Sequence, residues 1–201
     1  ALLLGYFFTS AVVGYYALGN RVLAMPMNVI GSSIGQVFFP RATQAQRVGE
    51  LSKVSLDMFE RLLAIGLVPV ILIAFVAPDL FALVFGERWW TAGQYTRWMS
   101  LWLLFVFVSS PLSTVYYVKE RQRDGLIVNL MMFGFRLLAI VIGGIKGDAL
   151  FTIALFGITG AVLWIFNGIY ILCLAGVPIR QTFSTILKHI IRGIPYLLLP
   201  L

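Results

Sequence analysis

The stretch Gly14–Arg41, GYYALGNRVLAMPMNVIGSSIGQVFFPR, decides how the chain is to be read. It is apolar enough to sit in a bilayer, yet it carries Arg21, Asn28, Ser32 and Gln36. Their spacings of seven, four and four residues put all four on one face of a helix. A membrane helix that only packs has no need of a polar stripe, whereas one that lines a wet cavity does. The same stretch holds Pro26 and the small-residue run Gly31-Ser32-Ser33-Ile34-Gly35.

The surrounding chain fits that reading. Of its 201 residues 60% are hydrophobic and only 11% charged, and the mean hydropathy is +0.94. A soluble domain has about 25% charged residues. Several uninterrupted apolar runs of about 20 residues imply an all-α, polytopic transmembrane helix bundle. A transmembrane barrel would alternate over segments of about ten residues, and these runs do not. The expected organisation is about five complete spans plus two cut ones, since both ends fall inside apolar runs. A helical bundle over residues 1–193 is followed by the start of a further span at 194–201.

In order, Leu2–Tyr16 reads as the end of a first span, Ala17–Asn20 as a tight connection and Val22–Pro40 as the second span. Residues 44–60 are polar but patterned. Val48, Leu51, Met58, Phe59 and Leu62 share a face, which predicts an amphipathic helix on the membrane surface. Leu62–Phe85 is the third span, with Pro69 and Pro78 inside it, and Trp89 and Trp90 follow as an interfacial pair. The fourth span is Tyr95–Val118, broken at Ser109-Ser110-Pro111. Gly125–Ile145 and Ala149–Ala175 are the fifth and sixth, and Gly176–Gly193 is a basic linker.

The net charge of +7 sits at helix ends, which speaks against a nucleic-acid partner. One side collects Arg41, Arg47, Lys53, Arg61, Lys119, Arg121, Arg123, Arg180, Lys188 and Arg192; the other receives Arg21, Arg88, Arg97 and Lys146. The positive-inside rule makes the richer side cytoplasmic. His189, in the linker beside Lys188 and Arg192, is expected to face anionic lipid.

Arg136 falls near the middle of the fifth span, and Asn129 lies seven residues earlier on the same side. A charge at that depth costs about 2.5–3.5 kcal/mol, so Arg136 must face protein or water. Its functional reading is a phosphate or substrate contact in a cavity; the structural alternatives are a hydrogen bond to a neighbouring helix's carbonyls, or snorkelling to the interface if the helix is shifted. Arg21 is either a cation at a cavity mouth or an interfacial anchor. Asn28, Ser32 and Gln36 are either cavity-lining or interhelical hydrogen-bonding groups, and Gly31 to Gly35 matches the GxxxG pattern of close helix packing. Asp79 and Glu87 fall near the outer boundary, where solvation is expected. One histidine and one cysteine, far apart, make neither a metal cluster nor a nucleophile pair, and Cys173 reads as a small packed hydrophobe. Neither a cofactor nor an enzymatic reaction is expected.

Several short motifs carry a resemblance in their order and spacing. They are Gly14-Tyr15-Tyr16-Ala17-Leu18, Asn20-Arg21-Val22-Leu23, Pro26, Ile30-Gly31-Ser32 and Gln36-Val37-Phe38-Phe39-Pro40-Arg41. Later come Ala77-Pro78, Leu83-Val84-Phe85-Gly86, Trp90, Ala92-Gly93 and Ser110-Pro111-Leu112-Ser113. To about Gly176 the chain resembles the C-terminal half of a bacterial polysaccharide (O-antigen type) flippase. That family lies within the multidrug/oligosaccharidyl-lipid/polysaccharide exporter superfamily.

The resemblance implies two pseudo-symmetric helix bundles around a cationic cavity in the bacterial inner membrane. It implies that an undecaprenyl-diphosphate-linked oligosaccharide is moved between leaflets by alternating access, with membrane lipids and polysaccharide assembly proteins as partners. It also implies a functional role for Arg21, which matches an arginine of the superfamily's lipid II flippases. A drug/cation antiporter of the same superfamily is the alternative. It needs carboxylates inside the spans, and none falls mid-span. A membrane-embedded polymerase or acyltransferase needs large outer loops, and these are short. A small structural or assembly subunit, complete in itself, is the remaining class.

Overall fold

The computed structural model describes residues 2–197, with the backbone alone at Pro26, Asn28 and from His189 onward. Among the described residues there is no strand, and five helices are long and apolar enough to cross a membrane. The chain is a multi-pass membrane protein built as a helix bundle. The helices are α1 (Leu2–Phe7), α2 (Ser10–Arg47), α3 (Leu51–Phe85), α4 (Trp90–Ser109), α5 (Val115–Val118), α6 (Gln122–Lys146), α7 (Ala149–Leu174) and α8 (Ile179–Leu197).

The predicted connection Ala17–Asn20 does not form. Residues Ser10–Arg47 are one helix of 38 residues, so the first and second predicted spans merge and only α1 precedes them. Gly19 is there for close approach, not for a turn: a Cβ on it would lie 2.5 Å from Thr96 Oγ1 and 3.5 Å from the Ala92 carbonyl of α4. The surface helix predicted over 44–60 is corrected as well. Gly49, at φ +77°, ends α2 in the left-handed region that glycine tolerates. The Glu50 N–H donates to the Ala45 carbonyl at 2.8 Å across that turn. Leu51, Ser55, Phe59 and Leu62 are buried on α3, whereas Val48 is 65% exposed. The apolar periodicity after 50 is therefore the first turns of a membrane helix packing inward.

The predicted basic linker 176–193 is likewise helical from Ile179 onward, with Thr182 and Thr185 buried. Thr185 Oγ1 and Glu60 Oε1 lie 3.0 Å apart, tying α8 to α3. Of the predicted terminal span, residues 198–201 lie outside the described residues, as does the side chain of His189. The break at Ser109-Ser110-Pro111 forms as expected. There α4 stops, and a 3₁₀ turn over Pro111–Thr114 leads into α5.

Helix α4 is the hub, packed against α2, α3 and α7, while α6 packs on α7. Small residues let the backbones meet. A Cβ on Gly93 would run into the Ala77–Pro78 backbone of α3, and one on Gly157 of α7 would run into the Trp98 carbonyl. The GxxxG pair does not play that part. Gly31 has open space where a Cβ would go, and Gly35 would make only an ordinary 3.8 Å contact with Pro111.

Pro78 lacks an N–H, so the Ala74 carbonyl one turn earlier loses its helical donor. Arg97 of α4 supplies a replacement. Its Nε donates to the Ala74 carbonyl at 2.8 Å and its Nη2 to the Phe75 carbonyl at 3.0 Å. In lipid an unpaired carbonyl has no water to turn to, so this pairing holds α3 and α4 in register. Replacing Arg97 by Leu should lower stability by about 2 kcal/mol, the scale of hydrogen bonds to a charged donor. Equilibrium unfolding in mild detergent measures this, and a change below about 0.5 kcal/mol would mean that another donor serves Ala74.

Candidate functional site

The six polar positions singled out from the sequence do not line one cavity among the described residues. They divide between the outer surface of α2 and a pocket between α6 and α7.

On α2, Arg21, Ser32 and Gln36 are exposed on the bundle surface, as their helical spacing requires. The side chain of Asn28 lies outside the described residues. Ser32 Oγ donates to the Val29 carbonyl of its own helix at 3.1 Å, so it makes no interhelical bond. Ser32 also lines a groove of about 320 Å³ that α2 forms with the α4 break, together with Gly35, Ser110 and Pro111. Arg21 lies six residues beyond Tyr15, whose ring meets Trp89 edge-on at 5.6 Å. It is thus about 9 Å further along the helix than that aromatic pair, counted at 1.5 Å per residue.

The second site is a cavity of about 430 Å³ walled by α1, α2, α6 and α7. Arg136 and Asn129 both line it, as their seven-residue spacing predicts, and Tyr16 reaches it from α2. Arg21 does not line it. The two are five residues apart and so about 140° apart around the helix.

The Arg136 guanidinium sits in the corner of two aromatic rings that stand at 79° to each other, with Cζ 4.1 Å from the Trp102 ring centroid and 4.3 Å from that of Phe156. Cation–π contact of this kind stabilises a desolvated cation by about 2 kcal/mol or more per partner. The hydrogen-bonding donors have no such provision. Among the described residues Arg136 makes no hydrogen bond or ion pair, and its Nε is buried without an acceptor. The carbonyl-binding role considered for Arg136 is filled instead by Arg97. No carboxylate lines the cavity. Asn129 Nδ2 donates to the Gly125 carbonyl at 2.8 Å within α6, and Thr152 Oγ1 donates to the Asp148 carbonyl at 2.6 Å. Trp164 lines the same cavity, and its indole Nε1 is also buried without an acceptor, as is that of Trp102.

The aromatic walls were not singled out in the sequence. Trp98 and Trp102 stand four residues apart on α4, which marks a shared face, but nothing in the sequence places that face against α6. At the basic end of the bundle, Tyr170 Oη donates to Asp124 Oδ2 at 2.9 Å and Tyr116 Oη to Asn167 Oδ1 at 2.8 Å. These bonds tie α5, α6 and α7 together. Asp79 and Glu87 are exposed, in keeping with solvated positions. Among the described residues no group of His, Cys, Asp or Glu is arranged to hold a metal ion.

These features define a polytopic membrane protein with a polar outer face on one long helix and a cationic cavity beside it. Residues 1–93 match the model of a family described as polysaccharide biosynthesis protein. The matched part is α1 to α3 and the start of α4, which includes the whole polar face of α2 and agrees with the polysaccharide flippase resemblance of the same residues. No curated protein and no solved structure matches the chain.

A buried cation with unpaired donors is a stability cost unless something binds it. Arg136→Met should therefore leave the ligand-free protein as stable as before, or up to about 2 kcal/mol more stable, since burying an uncompensated charge costs more than the apolar replacement. Thermal unfolding in detergent stripped of lipid checks this. A clear loss of stability would instead assign Arg136 to packing against Trp102 and Phe156.

Proposed function

We propose that this chain is part of a flippase that moves an undecaprenyl-diphosphate-linked oligosaccharide across the bacterial inner membrane for polysaccharide or lipopolysaccharide export. The observation that carries the reading is the outer face of α2, where Arg21, Ser32 and Gln36 stand exposed on a membrane helix inside the family-matched segment. A polar stripe facing lipid would be unfavourable, so the face suits a wet path shared with a second bundle. An arginine there suits a diphosphate, because its planar guanidinium offers paired N–H donors to phosphate oxygens.

In this reading the basic end of the bundle, with Arg41, Lys53, Lys119 and Arg123, faces the cytoplasm. The substrate's diphosphate is drawn to Arg21 while its glycan follows the polar stripe and its hydrocarbon tail stays in the bilayer. Alternating access then exposes that stripe to one side of the membrane and the other in turn. Transport needs no covalent step, so no catalytic residue is assigned, and polysaccharide assembly proteins are the partners that would deliver and receive the glycan. The alternative of a drug/cation antiporter gains no support from α2, whose face carries no carboxylate.

Arg21→Ala in the full-length protein, expressed at the normal level, should reduce surface glycan at least tenfold, with Arg21→Lys between that variant and the wild type. Lipopolysaccharide profiling of cells carrying each variant reads this out. Normal glycan in the alanine variant would remove Arg21 from the path and with it the observation on which the reading rests.

A further inference from the structure

The cavity between α6 and α7 stands apart from the α2 face, and what it holds does not depend on the flippase reading. Two buried donors in its wall have no acceptor from the protein, Arg136 Nε and Trp164 Nε1, and a third, Trp102 Nε1, belongs to the ring behind the guanidinium. A buried donor left unpaired is costly, and such groups are rare in folded proteins. All three lack the same thing, an oxygen acceptor. The one charge in the wall is positive and has no counter-charge. The missing partner is therefore an oxyanion.

The rest of the wall says what else the ligand brings. Leu3, Leu4, Met132, Phe133, Leu137 and Ile140 are apolar, and Phe133 is 66% exposed on the bundle surface. The cavity thus has its rim on the side of the bundle that faces the bilayer. Its volume of about 430 Å³ exceeds what a phosphate needs and leaves room for atoms attached to it. Phe156 and Trp102 hold the guanidinium from two sides without taking any of its hydrogen bonds, and its Nε is left without an acceptor.

We propose that this cavity is a binding site for a phosphate group, entered sideways from the membrane, with Arg136 as its cation and the Trp164 indole as an added donor. The same chemistry is offered by a lipid phosphate and by free phosphate, and a titration separates them.

The protein is placed in phosphatidylcholine nanodiscs, and dioleoyl phosphatidic acid, dioleoylglycerol or inorganic phosphate is added while tryptophan fluorescence is followed. Phosphatidic acid should give a saturable change in the wild type that dioleoylglycerol does not give. Its affinity should fall at least tenfold in Arg136→Gln, severalfold in Arg136→Lys and two- to threefold in Trp164→Phe, and stay unchanged in Arg123→Gln, an exposed cation away from the cavity. Saturable binding of inorganic phosphate with the same dependence on Arg136 would support the site with a free anion as its source. The proposal is overturned if neither phosphate compound binds saturably, if dioleoylglycerol matches phosphatidic acid, or if Arg123→Gln weakens binding as much as Arg136→Gln does. The comparison of phosphatidic acid with dioleoylglycerol uses the wild type alone, so it decides the matter even if an Arg136 variant fails to fold.

Discussion

The contact on which the bundle most depends is the donation from Arg97 to the carbonyls of Ala74 and Phe75. Pro78 removes a helical donor two turns before the end of a long apolar helix, and lipid cannot make good the loss. Gly93 lets α4 come against the backbone at that point, and Arg97, one turn further along the same helix, reaches across. A proline that would weaken α3 in isolation becomes the place where α3 and α4 are locked together. Once α4 is fixed, its other faces receive α2 through Gly19 and α7 through Gly157, so two neighbouring interfaces follow from its placement.

This arrangement explains why two arginines inside membrane helices have different fates. Arg97 spends its donors on main-chain oxygens. Arg136 spends only its aromatic-facing surface, on Trp102 and Phe156, and keeps its donors unpaired. The first is a structural cation, consumed by the fold. The second is held in place without being neutralised, which is the condition for binding something else. Residue type and hydropathy do not separate the two cases; the difference lies in what the adjacent helix offers.

The polar face of α2 and the α6–α7 cavity lie on different sides of the same helix, with Tyr16 reaching one and Arg21 standing on the other. A long helix touched on one side by α4 and open on the other can therefore belong to two environments at once. The bundle supplies the closed side. The open side carries both polar and apolar groups.

Much of this was legible in the sequence because it rests on local chemistry. Apolar runs of bilayer length fixed the class, and Ser109-Ser110-Pro111 placed the break in the fourth span. The spacing of Arg21, Asn28, Ser32 and Gln36 put them on one face, and that of Asn129 and Arg136 put those two together, because helical periodicity is set by the backbone. Where the sequence misled, the cause was tertiary. Gly19 looked like a turn but serves a close approach to α4, and the pattern over 44–60 looked like a surface helix but is the inward face of α3 beyond the Gly49 turn. Gly31 and Gly35 looked like a packing seam, but Gly31 faces open space and Gly35 makes only an ordinary contact with Pro111. The sequence by itself thus determined the class of protein, its spans and the faces of its helices. Only the tertiary structure decided which faces meet, and with that which glycines, which carbonyls and which arginine are satisfied, because satisfaction of a group depends on a neighbour distant in the chain.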